Sequence, residues 1–122
     1  MVKLFISLGS LNAMLAVMLG AFGAHALKER LSPEMMEVFH TGVQYHFYHA
    51  LGLILIGLVA YHFPESVWLK WAGWLMFAGI VLFSGSLYIL AGTGIRWLGA
   101  ITPVGGTAFI ISWILLTIAV LK

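Results

Sequence analysis

Cysteine is absent from this chain of 122 residues, which removes disulfides, thiolate metal ligands and cysteine nucleophiles. Charge is scarce as well. Charged residues make up 8% of the sequence, where a soluble domain carries about 25%. The six basic residues and net charge of +2 offer too little positive surface for a nucleic-acid partner. All four acids, Glu29, Glu34, Glu37 and Glu65, stand outside the apolar runs, so no buried carboxylate is available to activate a serine, threonine or histidine. No strand pattern exists for a phosphate-cradling glycine loop to follow. The chain is accordingly expected not to be an enzyme.

What remains is apolar: 62% hydrophobic residues and a mean hydropathy of +1.06. This is membrane composition. A spanning helix needs about 20 apolar residues, and four such runs are predicted, over residues 4–27, 33–62, 67–91 and 98–121. The fold class is therefore an all-α, polytopic four-transmembrane-helix bundle of one domain, with an amphipathic extension leading into the second helix. Ala24-His25-Ala26 matches a signal-peptide cleavage site, but the preceding apolar run is too long for one. Ser32-Pro33-Glu34 reads as an N-cap, a proline in the first turn and an acid beside it. Small residues mark packing seams: Gly9, Ala13, Ala16, Gly20 and Gly23 in the first helix, Ala78, Gly85 and Gly92 in the third, and Gly99, Pro103 and Gly106 in the fourth. Four spans put both termini on one side. Lys3, Lys70 and Lys122 there balance Lys28, Arg30 and Arg96 opposite, so the positive-inside rule assigns no orientation and dual topology stays open.

Several motifs are more specific. Gly20-Ala21-Phe22-Gly23-Ala24-His25, Tyr45-His46-Phe47-Tyr48-His49-Ala50-Leu51, Gly85-Ser86-Leu87-Tyr88 and Leu98-Gly99-Ala100-Ile101-Thr102-Pro103-Val104-Gly105-Gly106 fall one in each helix. Together they resemble the YgdD/YwdK family of small uncharacterised membrane proteins across essentially the whole chain. The resemblance implies a bacterial-type inner-membrane protein of four helices and supplies no activity.

Chemistry concentrates in one half of the predicted bundle. His46 and His49 lie three residues apart on the second helix, and His25 ends the first helix on the side where the second begins. Ionisable groups inside a membrane are costly and default to functional candidates. Ser84, Ser86, Tyr88 and Thr102 fall in the same half, predicting a polar pocket that opens toward Arg96. Two readings stand side by side. In one, the imidazoles hydrogen-bond across helix interfaces as packing groups in a structural, lipid-associated or accessory protein. In the other, His25, His46 and His49 bind a metal or haem, or histidines line the path of a small transporter. Arg96 beside Trp97 is read as an interface anchor or an anion site, Asn12 as a packing residue, and Met14 with Met18 as core. His40 and His62 are read as solvated. Membrane lipids are the expected partners, with a homo-oligomer or larger membrane complex open.

Overall fold

A computed structural model describes all 122 residues. The first helix, α1 (Val2–Ala26), has no aspartate, glutamate, lysine or arginine between Leu4 and Leu27 to halt it. The second, α2 (Pro33–Ala60), starts as its sequence dictates. Ser32 Oγ accepts the Met35 N–H at 3.2 Å, Pro33 supplies a preset φ, and Glu34 sits at the positive end of the helix dipole. Ser66 repeats the device for α3 (Val67–Thr93), accepting the Leu69 N–H at 3.2 Å. Gly94 ends α3 at φ +73°, a conformation that costs glycine nothing, and its N–H caps the Leu90 carbonyl at 2.7 Å. A 3₁₀ turn (Arg96–Ala100) then leads into α4 (Thr102–Leu121), with Pro103 in the first turn, where its missing N–H is no loss. The predicted start at residue 98 thus falls inside the 3₁₀ turn, four residues before the α-helix.

All four helices are long and apolar enough to cross a membrane. They run antiparallel. The start of α1 meets the end of α2, where Ile6 and Val2 face Gly57, while the end of α1 meets the start of α2 through Gly23 and the Phe39 ring. Lys122 lies over the Trp68 ring at the first of these ends. Arg96 pairs with Glu34 at the other, 3.2 Å apart with both side chains exposed. Packing is pairwise, α1 on α2 and α3 on α4, with α2 and α3 joining the two pairs at the centre. The flanking helices therefore present much of their apolar surface outward, including Leu11, Met14, Leu15, Val17 and Met18 on α1 and Ile110, Ile111 and Ile114 on α4. Met14 and Met18 belong to this outward face and not to the core.

The α1 seam forms as its spacing predicts. A Cβ on Gly9 would stand 2.7 Å from the Ala50 carbonyl oxygen, so α1 and α2 touch backbone to backbone there. The α3 seam does not form: Gly85 and Gly92 face open space. The repeat starts off the packed face, since Ala78 stands two residues and about 200° round the helix from the buried Met76; beyond it, a π turn at Ile80–Ser84, in which the Gly85 N–H reaches the Ile80 carbonyl, adds one residue to the coil. The buried stripe consequently runs Leu69, Met76, Ser84, Ala91, in steps of seven, eight and seven. On α4 the seam is shifted by one from its predicted position, to Gly105, Ser112 and Ala119, all buried. Gly105 lies against the Phe83 backbone, where an added Cβ would come within 2.8 Å of Phe83 Cα. The apolar core (Phe5, Leu53, Ile56, Leu69, Met76 and Phe109) fills the half of the bundle nearer the termini.

Candidate functional site

The second helix places its two inner histidines against different neighbours. His46 reaches α1 and α3: Nε2 lies 2.9 Å from Asn12 Oδ1 and Nδ1 lies 2.8 Å from the Tyr88 hydroxyl. Asn12 Nδ2 donates to the Leu8 carbonyl at 2.8 Å, which leaves Oδ1 as the acceptor for His46. The network therefore runs in one direction. Tyr88 O–H donates to His46 Nδ1, His46 Nε2–H donates to Asn12 Oδ1, and Asn12 donates to Leu8. Both His46 and Asn12 are buried.

His49 turns toward α4. Its Nδ1–H donates to the Tyr45 carbonyl at 2.7 Å and its Nε2 accepts the Trp113 indole N–H at 3.1 Å. A carbonyl only accepts and an indole N–H only donates, so this ring carries its proton on the opposite nitrogen from His46. The imidazole stacks on Phe109, with centroids 3.5 Å apart and planes 7° from parallel. Phe109 in turn meets Phe83 at 5.5 Å, and Phe83 meets Tyr45 at 4.7 Å.

The remaining polar residues form separate fastenings. Ser84 Oγ donates to the Gly42 carbonyl at 2.7 Å, binding α3 to α2. Ser86 Oγ donates to the Phe83 carbonyl, inside the π turn, at 2.9 Å and receives the Thr102 hydroxyl at 2.7 Å, binding α3 to α4. Deeper in the bundle, Ser112 Oγ donates to the Ala72 carbonyl at 2.5 Å. No buried side-chain nitrogen or oxygen lacks a partner.

The expected polar pocket is therefore replaced by a set of closed bonds. His46, His49, Ser84, Tyr88 and Thr102 line no cavity, because each polar atom is turned onto a hydrogen-bond partner rather than onto open space. The proposed metal triad does not assemble either. His25 lies exposed at the end of α1, both nitrogens of His46 and of His49 are engaged in hydrogen bonds, and no three His, Asp or Glu side chains are placed to hold an ion. The chain through His46 is equally unsuited to moving a proton, since it ends on an amide and a backbone carbonyl. Arg96 pairs with Glu34 at the start of α2. His40 and His62 are exposed.

Asn12 was legible as a packing residue, but its pairing with His46 was not. Trp113 and Ser112 carry no signal at all, because their roles depend on which face α4 turns inward. The π turn similarly has no signature beyond the two glycines, Gly79 and Gly85, that bracket it.

A four-helix membrane protein fastened internally by histidines is the class this arrangement defines. A family model described as "Protein of unknown function (DUF423)" matches residues 19–106, and the chain belongs to that family. It is 59% identical to "UPF0382 membrane protein YwdK" of Bacillus subtilis (strain 168), over 98% of each chain. It is 55% identical to a "UPF0382 membrane protein" of Staphylococcus epidermidis, over 98% of this chain and 97% of the relative. Identity to a Staphylococcus saprophyticus relative of the same description is 52%, over 98% of each chain. None of these descriptions names an activity. No solved structure matches the chain.

Proposed function

We propose that the protein is a non-enzymatic structural or accessory component of the bacterial cell membrane, crossing it four times with both termini on one face. The observation that carries this reading is the complete internal satisfaction of the buried polar groups. His46 and His49, the most chemically capable side chains inside the bundle, spend all four ring nitrogens on hydrogen bonds within it. Polar side chains used in this way act as interhelical glue. Such a protein works through its outer surface, by what it touches in the bilayer, rather than through an interior site. The antiparallel order of the helices and the 98% coverage of relatives described as membrane proteins support the topology.

Elemental analysis and an absorption spectrum of protein purified from membranes test this. The expected result is no stoichiometric metal and no Soret band, with His49→Ala lowering the melting temperature in detergent. A metal or haem retained at one per chain and lost in His46→Ala or His49→Ala would overturn the reading. Because the chain has no cysteine, the topology is read by placing single cysteines at Lys3, Arg30, Arg96 and Lys122. Positions 3 and 122 should react from one side, and positions 30 and 96 from the other.

A further inference from the structure

On the outward face of the α1–α2 pair lies a groove of about 570 Å³, floored by Gly20, Ala21, Val43 and Phe47 and walled by Gln44 and Tyr48. Its volume is that of a ligand cleft (about 300–1,000 Å³). Gln44 and Tyr48 are both exposed on the outer face of this helix pair. The exposed serine and threonine hydroxyls of the spans satisfy themselves. Ser7, Ser10, Thr107 and Thr117 each bond the carbonyl four residues back. The Gln44 amide and the Tyr48 hydroxyl make no hydrogen bond within the chain, a costly state in hydrocarbon.

The groove is graded along its length. Helical side chains lean toward the helix N-terminus, so Gln44 and Tyr48 lean toward the interface where α2 begins. His40, four residues before Gln44, and His25, four residues after Ala21, lie on the same faces one turn nearer that interface, and both are exposed. Lys28 follows the end of α1, and the exposed Glu37 stands one further turn out on the His40 stripe. Gly20 is six residues inside the end of α1, and at 1.5 Å per residue the amide beside it sits roughly 9 Å below that end. From the interface inward come the ammonium just past the end of α1, the carboxylate and the imidazoles, then the amide and then the phenol, with the apolar floor running beside them.

We propose that this groove holds one glycerophospholipid with a zwitterionic ethanolamine headgroup. The lipid's ammonium faces Glu37 and its phosphate meets His25, His40 and Lys28. An ester carbonyl accepts from the Gln44 amide, and an acyl chain covers Val43 and Phe47. The inference rests on the membrane-spanning reading above. That reading fails separately, if the protein is not recovered in the membrane fraction.

Native mass spectrometry of the full chain, reconstituted in vesicles of equal parts phosphatidylethanolamine and phosphatidylglycerol and re-extracted in mild detergent, tests the assignment. Wild type should keep a single phosphatidylethanolamine adduct. Ala21→Trp, which fills the groove from an exposed position, and Gln44→Leu should lose it with unchanged melting temperature. Ile114→Trp, on the exposed face of α4, should keep it. No adduct in wild type, an adduct indifferent to both groove substitutions, or preferential phosphatidylglycerol would overturn the proposal. So would a dimer mass abolished by Ala21→Trp, which would make the occupant a second copy of the chain.

Discussion

Replacing His46 with leucine tests the central fastening directly. The substitution removes two hydrogen bonds between helices, at 2.8 and 2.9 Å, and strands the Tyr88 hydroxyl and the Asn12 oxygen. Interhelical hydrogen bonds in bilayers average about 0.6 kcal/mol and reach about 1.7 kcal/mol. Two of them predict a loss of about 1.2 to 3.4 kcal/mol, and the orphaned groups push toward the upper end. The same reasoning fixes what the triple variant Asn12→Leu, His46→Leu, Tyr88→Phe should do. With every polar partner gone, no buried group is left unsatisfied, so the triple variant should lie within about 1 kcal/mol of wild type and above His46→Leu alone. Equilibrium unfolding in mixed micelles, by dodecyl sulfate titration followed by circular dichroism, measures both. A His46→Leu protein as stable as wild type would refute the reasoning. So would strict additivity, with the triple variant the least stable of all.

The other expectations use the same assay. Gly9→Ala should destabilise by about 1–3 kcal/mol, because the new methyl meets the Ala50 carbonyl oxygen at 2.7 Å. Gly92→Ala should do the opposite and gain up to about 1 kcal/mol, since the position is helical and faces open space. Phe109→Ala should cost about 3–5 kcal/mol, as it empties the seat on Gly79 and unstacks His49. Arg96→Ala should cost at most about 1 kcal/mol, and the difference should fade in high salt because the Glu34 pair is exposed.

Which features could be read from the sequence follows from how local their causes are. Helix number and the cap at Ser32 depend on composition and a few adjacent residues, and they appear where the sequence places them. The α1 seam depends only on uninterrupted 3.6-residue periodicity, and it too is found. The seams of α3 and α4 fail for different reasons. In α3 the predicted repeat begins at Ala78, about 200° round the helix from the buried Met76, so it runs off the packed face. In α4 the 3₁₀ start rotates the helix until Gly105 rather than Gly106 meets α3. The polar residues were found as a group, but the sequence could not pair them. Pairing His46 with Asn12 joins positions 34 apart in the chain, and pairing His49 with Trp113 joins positions 64 apart. Both partners are fixed by how α2 is turned, which no local pattern encodes.

That turning is what the polar bonds themselves specify. Inside a bilayer, lipid tails are as apolar as leucine, so burying one more leucine between helices does little to choose one packing over another. A hydrogen bond does choose, because it is lost at any other rotation. Here α2 is tied to α1 through His46 and Asn12, to α3 through His46, Tyr88 and the Ser84 hydroxyl, and to α4 through His49 and Trp113. The π turn belongs to the same system. The one extra residue lets Ser84 and Tyr88 face α2 while Ser86 faces Thr102, and it leaves the apolar stripe from Leu69 to Met76 undisturbed. The central helix is thus held in a single orientation by three neighbours, and its outward residues are held with it. Gln44 and Tyr48 stand on the outer surface because His46 and His49 are held inside.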